Sequence, residues 1–254
     1  MLKAPRVAEL VADAMRQKIL SGAYPDGGLL ARYEDLTAEF EVSLPSVREA
    51  IRMLEAEGLV TTRRGKGGGA VVALPKPDNV AYGIGLVLES WGTDAGDLAA
   101  ALGMLEPVCA GACAGRSDRK RTVVPALRRL HAEAAGCISD AVAFAGLARA
   151  FHEQIVRWCP NDVTRLVVGA VESLWGAQVR AAPSDAATNG EAGAFPSRRA
   201  REQSLADHAG LLGCIDAGDV AGAEAAARDH FRRPERPVLL QRPTGVRAAP
   251  LRPT

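Results

Sequence analysis

Three of the four histidines in this chain, His152, His208 and His230, fall in three separate stretches of helical periodicity. Imidazoles brought from three helices to one interior point are a standard ligand set for zinc or a neighbouring transition metal. A lone helical histidine is more often a packing or surface residue, so that reading stands beside the metal one. The fourth, His131, is expected on the surface. A second group lies near the N-terminus, where Ser43, Ser46, Arg48, Glu49 and Arg52 share a segment with an apolar stripe but fall off it. A helix that packs one face and presents donors on another suits the major groove of DNA, and the planar fork of Arg48 can address guanine or phosphate with two bonds. The bland alternative is a solvated helix on which Arg48 and Arg52 pair with Glu49, Glu55 or Glu57. Just downstream, Arg63, Arg64 and Lys66 sit among Gly65, Gly67, Gly68 and Gly69 with no acid nearby, which suits close approach to a sugar-phosphate strand.

The elements that must position these residues follow from spacing. Val7, Leu10, Val11, Ala14, Met15 and Ile19 mark a first helical face, ended by Gly22 and Pro25. A second helix is predicted over 33–40, with Leu36 and Phe40 inward. A third runs over 44–57 with Val47, Ala50, Ile51 and Leu54 inward, Ser43 as N-cap and Pro45 in its first turn. Strands over 59–62 and 70–74 flank the basic glycine-rich turn. Pro75, Pro77, Asp78 and Asn79 read as a linker over 75–92. Six helices follow, near 94–115, 121–137, 140–158, 162–181, 198–216 and 219–232. The polar stretch 182–196 reads as a loop, and the Pro/Arg-rich residues 234–254 as a disordered tail. The expected fold is mainly α: a winged helix-turn-helix of three helices plus β-hairpin wing over 1–74, and an all-α antiparallel helical bundle over 93–233.

Composition narrows the function classes. The 254 residues allow two domains, and the net charge of +1 excludes a global basic field, so a nucleic-acid surface must be local. No apolar run of membrane-spanning length and no cleavable signal is read, so a cytoplasmic protein is expected. Five cysteines, an odd number spread through helices, are expected as buried free thiols. Cys109 and Cys113, one turn apart among alanines, read as packing residues before a thiolate pair, and Cys159 lacks the partners of a nucleophile. Trp91, Trp158 and Trp175 are expected as core or dimer-interface anchors.

The N-terminal order resembles the DNA-binding domain of the GntR family over residues 7–74. The resemblance is carried by Ile19-Leu20-Ser21-Gly22, Glu34-Asp35-Leu36, Val42-Ser43, Val47 to Ile51, Leu54 to Val60 and the wing Arg64 to Val72. It implies a dimeric regulator, taken as a repressor, that reads a short palindrome through Ser43, Ser46, Arg48, Arg52, Arg64, Gly65, Lys66 and Gly67. Two positions depart: Leu44 stands where the family has Arg after the turn serine, and Glu41 where it has Gly.

The remainder resembles the FCD ligand-binding domain of the FadR subfamily, through Asp97-Leu98, Leu105-Glu106-Pro107, Phe151-His152, Asn161, Asp207-His208 and Ala217-Gly218-Asp219 before His230. The resemblance implies a divalent transition metal, zinc or similar, held by the three histidines and an Asp, with a small carboxylate effector nearby. Here Ala148 replaces that Asp and Leu102 replaces a customary arginine. The rival functions are a metal-dependent enzyme, for which no general base stands out, an acyl-CoA-responsive regulator without metal, and a DNA-binding protein indifferent to effectors. A dinucleotide or phosphate-binding reading of Gly65-Lys66-Gly67 fails, because a strand signal follows where that fold needs a helix. No catalytic residue is assigned.

Overall fold

The computed structural model describes residues 6–63, 69–181, 197–232 and 245–248. Its contacts divide the chain after Asn79 into two units, each with its own apolar core.

In the first unit, helices α1 (Val7–Leu20), α2 (Tyr33–Phe40) and α3 (Leu44–Ala56) precede the antiparallel pair β1 (Val60–Arg63) and β2 (Gly69–Val72). The inward face of α1 is Ala8, Val11, Ala12, Met15 and Ile19, while Val7 and Leu10 are exposed. The expected stripe, which held Val7, Leu10 and Ala14 and passed over Ala8 and Ala12, is therefore rotated; the two buried alanines suit a close approach to α3. Arg16 reaches from α1 to the end of α3 and sets its fork on Glu57 at 2.7 and 2.6 Å. Glu55 ties α3 to β1 by accepting from both the N–H and the hydroxyl of Thr62. The stretch 27–30 lines the other edge of β2, with Leu30 N–H donating to Ala70 O and Val72 N–H to Gly28 O, each at 2.8 Å.

The second unit is helical. Residues 75–92, read as a linker, hold α4 (Pro77–Ser90). Pro77 and Asp78 are start signals there: proline loses nothing in a first turn whose N–H groups lack partners, and an acid complements the helix dipole. Then come α5 (Ala95–Ala114), α6 (Val123–Gly136), α7 (Ala141–Arg157), α8 (Asp162–Ala181), α9 (Arg198–Ala217) and α10 (Val220–Arg232), within two residues of their expected ends. α5 is the centre and touches α7, α8, α9 and α10. It is long and apolar enough to cross a membrane, which corrects the reading that no such run exists; more than half of it is buried inside this unit. Glycines bring α10 onto it. A Cβ on Gly111 would stand 2.7 Å from Glu224 Cγ, and one on Gly103 3.2 Å from Phe231 Cβ.

Gly245–Ala248 departs from the expected disordered tail. Val246 is 2% exposed and its N–H donates to Thr93 O, because this short stretch carries an apolar side chain and free backbone donors amid its Pro/Arg-rich surroundings. The expected loop 182–196 and the other tail residues lie outside the described residues. Trp158 and Trp175 are half-buried against the main core, but Trp91 is 73% exposed and is no core anchor.

Glu41, which ends α2, has φ 51° and ψ 41°, the left-handed region that disfavours a Cβ; among the described residues it is the one non-glycine there. Glu41→Gly should stabilise the first unit by about 1 kcal/mol, seen as a higher midpoint in urea unfolding with an unchanged slope. An unchanged or lower midpoint would show the turn to be unstrained.

Candidate functional site

The three histidines meet. His152 on α7, His208 on α9 and His230 on α10 have ring centroids 4.9, 5.0 and 4.9 Å apart, and one ligand atom of each lies within 4.8 Å of the others. His208 is buried and stacked flat on Phe151 at 4.4 Å. His152 Nε2 and His208 Nε2 face each other at 3.1 Å. Two nitrogens on one tetrahedral zinc, each about 2.0–2.1 Å from it, would stand about 3.3 Å apart. The donor set fits a transition metal; the His152–His208 spacing already matches, and the remaining ligand atoms, within 4.8 Å, would close in on a bound ion.

Carboxylates stand behind two of the rings. Glu106, from the middle of α5 and 0% exposed, is hydrogen-bonded to His152 Nδ1. Asp207 Oδ2 lies 3.3 Å from His230 Nδ1. Each carboxylate engages Nδ1 and so leaves Nε2 directed into the cluster, the usual way of fixing the orientation and tautomer of a ligating imidazole. Glu172 on α8 is hydrogen-bonded to Glu106 in turn; burial first, then the charge of Glu106, pushes its carboxyl well above the usual range. Glu172, Glu106 and His152 thus form a buried row behind the cluster. Burial, then the two neighbouring rings, holds His208 well below the usual imidazole range, so it stays neutral with a lone pair to offer.

Ala148, at the position of the missing Asp, is 2% exposed and packs with Ala134 and Phe144. Asp140 is the N-cap of α7, accepting from Val142 N and Ala143 N at 3.0 Å, and is committed there. Leu102 is core. His131 departs from its expected surface place: it is half-buried, and burial holds it below the usual imidazole range. Among the cysteines, Cys109, Cys113 and Cys159 are buried free thiols and Cys137 and Cys214 half-buried ones. Burial pushes the Cys113 thiol up to about 12, which makes it inert, and its Sγ donates to Ile155 O.

The second candidate is the outer face of α3. Val47, Ala50, Ile51 and Leu54 are buried, while Arg48, Glu49 and Arg52 are exposed. Arg52 lies 3.4 Å from Glu49, so the solvated-pair reading holds for it in part. Arg48 makes no ion pair among the described residues. Ser43 takes the N-cap position with extended backbone, but its hydroxyl lies 3.0 Å from that of Ser46 and makes no cap bond. Leu44, half-buried, opens the helix. The expected wing contacts Arg64, Gly65, Lys66 and Gly67 fall outside the described residues.

Sequence reasoning quoted Glu106 and Asp207 only as parts of motifs, and missed Glu172. Nothing in a single sequence separates a buried carboxyl from a solvated one; the available signal was a charged residue inside the most apolar helix.

Residues 7–69 match the model of a family described as bacterial regulatory proteins, gntR family, and residues 97–233 match that of the FCD domain. Over 75 residues the chain is 36% identical to the HTH-type transcriptional repressor NanR of Klebsiella aerogenes; the match covers 30% of this chain and 28% of that relative, little more than a quarter of its length. The solved structure of Streptococcus agalactiae GntR is similar with a TM-score of 0.62 over 88% of this chain and 97% of that one; at 18% identity that likeness concerns the fold alone.

Glu172 carries a pH signature. Its folded carboxyl titrates above the unfolded value, so its stabilising contribution is complete below about pH 4.5 and is lost as pH rises through the folded value. Gln keeps a donor and titrates in neither state. In metal-free protein the stability of Glu172→Gln relative to the parent should therefore grow with pH, by at most about 1.4 kcal/mol per pH unit. Thermal unfolding at pH 5, 6, 7 and 8 measures this; parallel curves would mean that Glu172 ionises normally.

Proposed function

The chain belongs to the FCD-domain family, with a DNA-binding half of the gntR type, and we propose that it is a homodimeric, cytoplasmic transcriptional repressor whose grip on a palindromic operator is set by a small carboxylate effector. The carrying observation is α3: four apolar residues fix one face to the first core, and Arg48 stands exposed on the other. In this reading Arg48 contacts a base edge, Ser43, Ser46 and Arg52 contact phosphate or base, and Arg64, Gly65, Lys66 and Gly67 track the backbone from the wing. Two such units per dimer make binding strongly salt-dependent.

His152, His208 and His230 hold one divalent transition metal, zinc or similar, through Nε2 atoms that Glu106 and Asp207 keep turned inward. When bound, the ion supplies a positive centre with room for an oxygen ligand. Since imidazole is an uncharged donor to a metal and Ala148 brings no charge, a carboxylate would be the first anion in direct contact with it. An effector that binds one arrangement of the protein better than another then shifts operator affinity by that difference and no more.

Two measurements test these readings. Footprinting at moderate salt should reveal a protected palindrome in the DNA around the gene, and Arg48→Ala should weaken binding to it by about 1–3 kcal/mol, about five- to 150-fold; absence of any protected palindrome would end the DNA reading. Elemental analysis of purified, untagged protein should find one transition metal per chain, lost in His208→Ala. No metal in the parent protein after reconstitution would reduce the histidines to packing residues.

A further inference from the structure

The segment Gly245–Ala248 lies well past the end of α10 in the chain, yet is held by main-chain bonds. Gly245 forms an antiparallel bridge with Asp94, and Val246 N–H donates to Thr93 O at 2.8 Å. Gln178 on α8 grips the next peptide on both sides: its Nε2 donates to Arg247 O at 2.8 Å and its Oε1 accepts from Arg247 N at 3.0 Å. Gln178 is itself buried, and a buried amide needs its donor and acceptor both met. Ala248 N–H donates to Glu89 Oε2, near the end of α4, at 2.8 Å. The side chain of Val246 completes a small core of its own with Ala81, Leu98, Ala170 and Leu174.

Gly85 makes the crossing possible. A Cβ there would come within 3.0 Å of Ala248 Cα and 3.2 Å of Leu174 Cδ1. Glycine is a poor residue for a helix interior, and this one is buried where the extended segment passes over α4.

We infer that α4, the Thr93–Asp94 turn and α8 form a groove for an extended peptide backbone, and that its ligand is the chain's own segment 245–248, which latches α4 to α5 and α8. Paired backbone groups supply affinity and one apolar pocket selects Val246, the logic of strand addition to an edge. α4 opens the helical unit, so the latch ties the first helix of that unit to the rest of it. The inference concerns the helical unit and stands whether or not DNA or metal is bound.

Hydrogen exchange on the full-length protein tests it. Amides 246–248 should exchange about tenfold or more slowly than in a free peptide of the same sequence. Gln178→Ala and Val246→Asp should return them to the free-peptide rate and speed exchange in residues 81–90 of α4, with α7 and α9 unchanged. Gly85→Ala is the sharper variant: alanine favours the helix itself, so faster exchange at 246–248 in that protein reports displacement of the segment and not a failing fold. Amides 246–248 exchanging at the free-peptide rate in the unaltered protein, or keeping their protection in both Gln178→Ala and Gly85→Ala, would overturn the latch.

Discussion

A carboxylate with no exposed surface must find donors, and Glu106 is one, in the middle of the most apolar helix of the chain. An isolated charge there would be prohibitive, so its surroundings are constrained. α7 must bring His152 so that Nδ1 meets the carboxylate. α8 brings Glu172 beside it, and burial next to Glu106 pushes the Glu172 carboxyl well above its usual range. With Nδ1 engaged, Nε2 of His152 has one direction left, and it meets Nε2 of His208 there. The histidine cluster is thus arranged from behind, by a charge that touches none of the inward-facing nitrogens.

The cluster also depends on closeness. α10 carries His230, and it lies against α5 where Gly103 and Gly111 offer no side chain and where Ala223 and Ala227 are fully buried. Small residues on both helices set the separation, and the separation brings the third imidazole within reach of the other two. The abundance of Ala and Gly in the sequence is thus a condition of the site.

Much of this was legible in the sequence, and the failures share a cause. The helices of the second unit declared themselves by apolar spacing, and the histidines by rarity. The winged order was legible because four elements in sequence agree with one another. α4 was missed because Pro77, Asp78 and Asn79 read as a break, although proline and an acid are also how helices begin and Ala81, Ile84, Gly85 and Leu88 keep helical spacing. The inward face of α1 was misjudged because Val7 and Leu10 drew the stripe toward themselves, while Ala8 and Ala12, small enough for a close contact, are the residues buried. Glu106 and Glu172 were opaque because a letter carries no burial. Val246 was opaque because composition judged its whole neighbourhood at once, while four residues with a pocket and a ladder of donors suffice to dock.

The distance along the chain between Ala81 and Val246 has a consequence during synthesis. Both belong to one apolar cluster, but a ribosome adding roughly 5–20 residues per second makes the second on the order of ten to thirty seconds after the first. For that interval the nascent chain carries α4 with one side of its contact missing. The helical unit is closed from its last residues backward, so a chain cut short near its end would leave the ribosome with that surface still bare, open to chaperones and to other unfinished chains.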